Sequence, residues 1–178
     1  MYTARTGLIL GFHGTDESIV NSVLKGKTEL EPSYNNYDWL GHGIYFWDNS
    51  PSRALEWAYE LSRRKDSKIK KPAVIGAIID LGYCLDLLDY KNLSIIKSAY
   101  SILETTLTSA NTDLPINKGN SVDLLQRELD CAVIETLHTS LVTTSQSEYD
   151  SVRGVFWEGD PLYTNAGFRE KDHIQICI

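Results

Sequence analysis

Two short segments carry residue types that could hold a ligand and act on it. In GFHGT, residues 11–15, an apolar run delivers His13, then Gly14, then Thr15. An imidazole can hydrogen-bond a sugar hydroxyl through one nitrogen while the protein holds the other. A glycine lets backbone approach a ligand closely, because no Cβ stands in the way. The same pattern also suits a plain strand-to-helix turn with a partly exposed histidine. In GHGIYFW, residues 41–47, two glycines flank His42 and an apolar run presents Tyr45. Strand residues alternate faces, so Ile44 and Phe46 point together and Tyr45 points the other way. A tyrosine so placed is either a surface residue or a stacking plate for a planar ring. The sequence contains no Walker A loop, dinucleotide fingerprint, zinc-protease helix or nucleophile elbow. Its four histidines, His13, His42, His138 and His173, are far apart, and no metal is expected.

The elements that must position these residues follow from periodicity. Gly7 to Phe12 is a strand candidate. Thr15 or Asp16 can cap the helix that follows, whose apolar positions Ile19, Val20, Val23 and Leu24 keep helical spacing up to Gly26. Residues 28–40 read as a loop rich in aromatics, and Gly43 to Trp47 as a second strand. Ser50-Pro51 opens a helix with Pro at its first position. Ala54, Leu55, Trp57, Ala58 and Leu61 give that helix an apolar face. Val74 to Leu81 is a β-branched buried strand. Residues 92–108 and 121–141 read as helices around a loop at 111–120, and Val152 to Trp157 and His173 to Ile178 as the last strands. The order is mixed, without regular strand–helix alternation, which predicts an α+β fold in one domain spanning residues 1–178.

The order HGT, then about 30 residues, then GxGIYF, then a helix with an early Ala54, resembles the NAD-binding core of the ADP-ribosyltransferases. The likeness is to the diphtheria-toxin and poly(ADP-ribose)-polymerase side of that superfamily, the His–Tyr–Glu group. His13-Gly14-Thr15 matches its first motif and Gly43-Ile44-Tyr45-Phe46 its second. Ser50 to Arg64 is similar to the helix after the tyrosine, and Val74 to Leu81, running into IIDLG, to the strand that follows. The match covers residues 7–90; residues 91–150 match nothing recognisable.

The resemblance implies a split β-sandwich with an NAD cleft between its sheets and flanking helices. NAD would be the substrate, with no metal. In the family the His meets the adenosine ribose, the Gly backbone pairs with the nicotinamide carboxamide, and the Tyr stacks on the nicotinamide ring. A Glu on a late strand holds the ribose 2′-hydroxyl and favours the oxocarbenium-like transition state. Here the last strand reads DHIQICI, residues 172–178, and Gln175 takes the Glu position. The implied catalytic set is His13, Tyr45 and Gln175, with Gly14, Thr15, Ser50 and Trp57 as further NAD contacts. Trp57 would form a second wall around the nicotinamide; on an amphipathic helix it can equally be core.

An amide can hydrogen-bond a ribose hydroxyl but carries no charge for a developing cation and cannot act as a base. Glu170 and Glu56 are the candidate substitute carboxylates. Arg153 and Arg169 could meet the NAD pyrophosphate or form ordinary ion pairs. The expected activity is mono-ADP-ribosyl transfer from NAD to a macromolecular acceptor, protein or nucleic acid, as a toxin or defence effector that a partner protein could neutralise. The alternatives are an NAD glycohydrolase and a catalytically weak NAD- or ADP-ribose-binding module.

Composition bounds these readings. The chain has 178 residues, 42% hydrophobic and 23% charged, with a net charge of −7. Those values exclude a disordered or low-complexity chain and argue against a surface that grips nucleic acid all round. The segment RRKDSKIKK, residues 63–71, holds six basic residues and one Asp, so the remainder carries −12. It is either a helix C-terminus satisfying its dipole or a contact for a phosphate-rich target. Mean hydropathy is −0.24, and the longest apolar run, Ala73 to Leu81, is too short to span a bilayer. The N-terminus lacks the pattern of a cleaved signal. Three cysteines without a CxxC pair read as buried free thiols in a reducing compartment, so a cytoplasmic protein without membrane contact is expected.

Overall fold

A computed structural model describes residues 8–119 and 123–178. Gly7, the proposed start of the first strand, residues 121–122 of the second long helical stretch, and the ends of the 1–178 domain and 111–120 loop (residues 1–7 and 120) lie outside the described residues.

The elements run β1 (Leu8–Asp16), α1 (Glu17–Leu24), β2 (Tyr45–Asp48), α2 (Pro51–Ser62), β3 (Pro72–Asp80), β4 (Cys84–Asp86), α3 (Leu93–Ser109), α4 (Glu128–Thr143), β5 (Ser151–Pro161) and β6 (Arg169–Cys177). The fold is α+β. Six strands form one sheet in the order β3-β1-β2-β6-β5-β4, antiparallel except where β4 runs parallel to β5.

β1 and β3 stay paired from Leu8↔Asp80 to Asp16↔Pro72. β1 and β2, in contrast, share two registered pairs, Gly11↔Asp48 and Phe12↔Trp47. Beyond Phe12, β1 continues with β3 alone, and the sheet opens between β1 and β2.

Two apolar clusters flank the sheet. Phe46, Ile79, Leu81 and Ile176 form one, with Ile44 packed against it. The larger cluster joins Leu103 of α3 and Val133, Ile134 and Leu137 of α4 to Val152 and Cys177, with Tyr45 packed against it. Ile44 and Phe46 thus face one cluster and Tyr45 the other, as strand alternation requires. The unmatched stretch 91–150 is what supplies α3 and α4, and they close the larger core.

Several boundaries differ from the sequence reading, each for a local reason. Asp16, not Thr15, caps α1, its side chain accepting from Ser18 N at 2.9 Å. It also accepts from the backbone N–H groups of Lys70 and Lys71, so hydrogen bonds hold its carboxyl well below the usual range. The helix expected from residue 121 begins at Glu128, because Leu124 has φ +45° and Lys118 and Gln126 exchange backbone hydrogen bonds. α2 ends at Ser62, with no basic residue in its last turn. The basic run therefore lies in the loop beyond the helix, not on its C-terminal turn. Cys131 and Cys177 are buried free thiols, whereas Cys84 is half-buried. No helix among the described residues is long and apolar enough to cross a membrane.

Candidate active site

A cleft of about 620 Å³ opens where β1 parts from β2. His13, Gly14, Thr15, Tyr45, Trp57 and Gln175 all line it. Three strands and one helix therefore bring the residues of the sequence motifs to one place.

His13 bridges the parting of the strands. Its Nδ1 lies 2.8 Å from the Tyr45 carbonyl, which can only accept, so Nδ1 carries the hydrogen and Nε2 keeps its lone pair. Burial lowers the ring's pKa against the raising effect of that backbone bond, and the imidazole is neutral. It offers a ligand one acceptor.

Tyr45 is fixed at its far end. Its hydroxyl donates to Gly41 O at 2.8 Å and accepts from Leu40 N at 2.9 Å. Burial pushes its pKa well above the ordinary phenol range. The one hydrogen of the hydroxyl is committed to Gly41 O, so it is not available to donate to a ligand.

Gln175 sits mid-sheet, paired with Trp47 on one side and Gly154 on the other. Its Oε1 accepts from Trp39 Nε1 at 2.7 Å, and its amide nitrogen lies 3.3 Å from His173 Nε2. Burial, then the charge of Arg53, lowers His173 to about 4, so the ring is neutral and its Nε2 accepts from the amide. These contacts fix the amide orientation and leave one N–H and one carbonyl lone pair for a ligand. Trp39 reaches this spot because Gly154 has no side chain: a Cβ there would meet the indole at 2.6 Å.

Gly14 needs a different explanation from the one its motif suggested. A Cβ at Gly14 would stand 1.9 Å from Ala54 O and 3.2 Å from the Ala58 side chain. Its bareness lets α2 dock on β1, and both alanines are fully buried. The early Ala54 and the HGT glycine are two halves of one close contact.

Other expected contacts fall elsewhere. Ser50 precedes α2 but is absent from the cleft lining, and its side chain makes no capping bond. Arg153 is buried against Asp48 and Asp86 at 2.8 and 3.4 Å, a structural charge cluster away from the cleft. Arg169 lies over the Trp157 ring and donates to Gly159 O. Glu170 is exposed and accepts from Asp160 N, and Glu56 pairs with Arg53 and Lys171. Neither carboxylate lines the cleft.

The carboxylate that does reach the cleft near β6 is Glu158 on β5, which the sequence reading passed over. It pairs with Arg53 of α2, and Lys171 stands 3.7 Å away. Arg53 itself is 8% exposed, with its guanidinium 5.6 Å from the Trp47 ring and 5.8 Å from Trp57. The signal in the sequence was the strand alternation Gly154, Phe156, Glu158, which shares a face with Gln175. Nothing in the motif spacing pointed to it. Trp47 Nε1 and Arg53 Nε are buried donors without a hydrogen-bond partner among the described residues, and both side chains line the cleft. The cleft thus offers aromatic walls, an imidazole acceptor and unpaired donors, a set that suits a ligand with a planar ring and several oxygens. Among the described residues no group of three or more acidic, His or Cys side chains could hold a metal ion.

Comparison with known proteins adds one relative. Over 97 residues the chain is 28% identical to the uncharacterized protein MJ0359 of Methanocaldococcus jannaschii, covering 53% of this chain and 44% of the relative. The matched stretch spans less than half of that protein's length. No protein-family model and no solved structure matches the chain.

Proposed function

We propose that this chain is an NAD-dependent mono-ADP-ribosyltransferase with a His–Tyr–Gln site in a split β-sandwich. The observation that carries the reading is the meeting of His13, Tyr45 and Gln175 in one cleft at the parting of β1 and β2. Motif order alone did not require that meeting. His13 Nε2 would accept from an adenosine ribose hydroxyl, and the Tyr45 and Trp57 rings would flank the nicotinamide. The remaining N–H or lone pair of Gln175 would hold a ribose hydroxyl. The N-glycosidic bond to nicotinamide breaks with its electron pair going to the ring nitrogen, neutral nicotinamide leaves, and an acceptor oxygen or nitrogen bonds to the ribose carbon and gives up its proton to water. The buried free thiols of Cys131 and Cys177 fit a reducing compartment such as the cytoplasm.

One observation favours the binding-module reading. Gln175 is already held by Trp39 and His173, and the neighbouring carboxylate Glu158 is neutralised by Arg53, so neither offers a free charge to a developing cation. Incubation with NAD labelled in the adenylate half, alone and with cell lysate, separates the readings. Label in protein or nucleic acid supports the transferase; free ADP-ribose alone supports the glycohydrolase. Binding of NAD without turnover in either mixture leaves the module.

A further inference from the structure

We propose that the loop at residues 63–71 is a docking surface for single-stranded nucleic acid, beside the mouth of the cleft. In the transferase reading it is where the acceptor strand lies; that role rests on the reading, whereas the binding rests on the loop alone.

Most of the loop's cations have no ion-pair partner among the described residues. Arg63, Arg64, Lys65, Lys68, Lys70 and Lys71 are all exposed. None stands in the last turn of α2; Arg63 is its C-cap and the rest lie beyond. Among the described residues Lys71 alone has an ion pair, with Glu17, and Lys70 Nζ donates to Ser67 O. The backbone is nonetheless pinned, since Lys70 and Lys71 both donate to Asp16 and Ser67 bonds back to Arg64 O. A fixed loop with free cations costs little to order on binding.

The surface also has shape. A hollow of about 420 Å³ is lined by Leu61, Ile69 and the stems of Arg64, Lys65 and Lys68, with Asp66 and Ser67. Leu61, Arg64 and Ile69 line the cleft too, so hollow and cleft adjoin. Arg64 lies 5.4 Å over the Trp57 ring at that boundary. An apolar floor rimmed by cations suits a planar base joined to phosphates better than an acidic peptide, which lacks the ring. The bases of a single strand are free to leave their stack, which those of a duplex are not. A charge of +5 on this loop, against −12 on the rest, would steer a polyanion toward this face.

The test uses the full chain and the triple variant R63E/K65E/K68E, which leaves Arg64 and the cleft untouched. Fluorescence anisotropy follows a labelled mixed-sequence strand of about 12 nucleotides at salt from about 50 to 200 mM. Wild type should bind with a steep salt dependence. The variant should bind at least tenfold more weakly, its log–log salt slope shallower by about 0.7 for each phosphate that is no longer neutralised. Its NAD affinity and unfolding temperature should match wild type. No binding by wild type, or equal binding by the variant, overturns the proposal. So does a polyglutamate peptide that displaces the strand at equal charge concentration, because the partner is then an acidic protein. If the strand binds as expected but NAD is never turned over, the transferase reading fails and the surface stands.

Discussion

In the proposed transferase a glutamine stands at position 175 where the resemblance leads one to expect a glutamate, and its neighbours say what it can do. Its amide accepts from Trp39 and donates to His173. Gln175→Ala removes a group preorganised toward the transition state, so NAD turnover should fall by ~10²–10³ without loss of the fold. Turnover equal to wild type would remove Gln175 from the site. Gln175→Glu keeps the Trp39 bond but sets a carboxylate where His173 Nε2 found a donor. The nearest remedy is a proton on His173. Its pKa should rise from about 4, which an NMR titration of the histidine ring protons reads directly; an unmoved value would mean the new carboxylate turns away. Tyr45 carries two separable roles. Tyr45→Phe keeps the ring but strands Leu40 N and Gly41 O, which should cost about 1–3 kcal/mol of stability in denaturant unfolding with NAD affinity held. Tyr45→Ala should also weaken NAD binding by about 1–3 kcal/mol in calorimetry. Equal NAD affinity for both variants and wild type would place the ring outside the binding site.

At the scale of elements, the cleft opens where β1 parts from β2, and on one side α2 is tied to β5. That tie is the Arg53–Glu158 pair, with Lys171 beside it. Breaking a buried pair by removing one partner leaves the other charge stranded, which usually costs about 3–5 kcal/mol. Arg53 keeps Glu56 and Glu60 at 3.6 and 3.7 Å, so Glu158→Ala should cost less than that, about 1–3 kcal/mol, and the double change Arg53→Met with Glu158→Leu should recover most of it. Chemical denaturation of both variants checks this; a Glu158→Ala chain as stable as wild type would show that Glu56 and Glu60 suffice to balance Arg53. The sequence disclosed β1, β2, α2 and β6 well, because each carries a strong period or a capping Pro. It also disclosed His13, Tyr45 and Gln175 as a set. It hid Glu158 and Arg53, because a charged pair joining a helix to a strand 105 residues away leaves no local pattern. It left Arg153 open between the pyrophosphate and an ion pair, because its use as an internal counter-charge depends on Asp48 and Asp86 meeting it across the sheet. It likewise placed a helix over 123–127, since a positive φ at Leu124 is imposed by tertiary pairing and not by residue type.

For the molecule as a whole, the buried imidazoles set how stability responds to acid. His173 is pushed down to about 4 by burial and by Arg53, with Lys171 adding to the lowering and Asp172 and the Lys171 backbone opposing it. His13 is lowered as well, chiefly by burial. An unfolded chain takes up these protons near pH 6.5, whereas the folded chain resists them to about 4 in the case of His173. Across that window the unfolded state binds more protons, so stability falls as pH falls, by up to about 1.4 kcal/mol per pH unit per group, and levels off below the folded pKa. The full contribution of His173 is on the order of 3 kcal/mol, present above pH 6.5 and gone near pH 4. His173→Gln removes the titration while keeping a polar side chain beside Gln175. Its unfolding free energy should be flatter than that of wild type between pH 6.5 and about 5, before carboxylate protonation dominates both curves. Parallel curves in that range would mean that His173 is protonated in the folded protein, and then the amide of Gln175 could not donate to it. The measurement therefore bears on the cleft as well as on stability, because a neutral His173 is what holds Gln175 with its carbonyl toward Trp39.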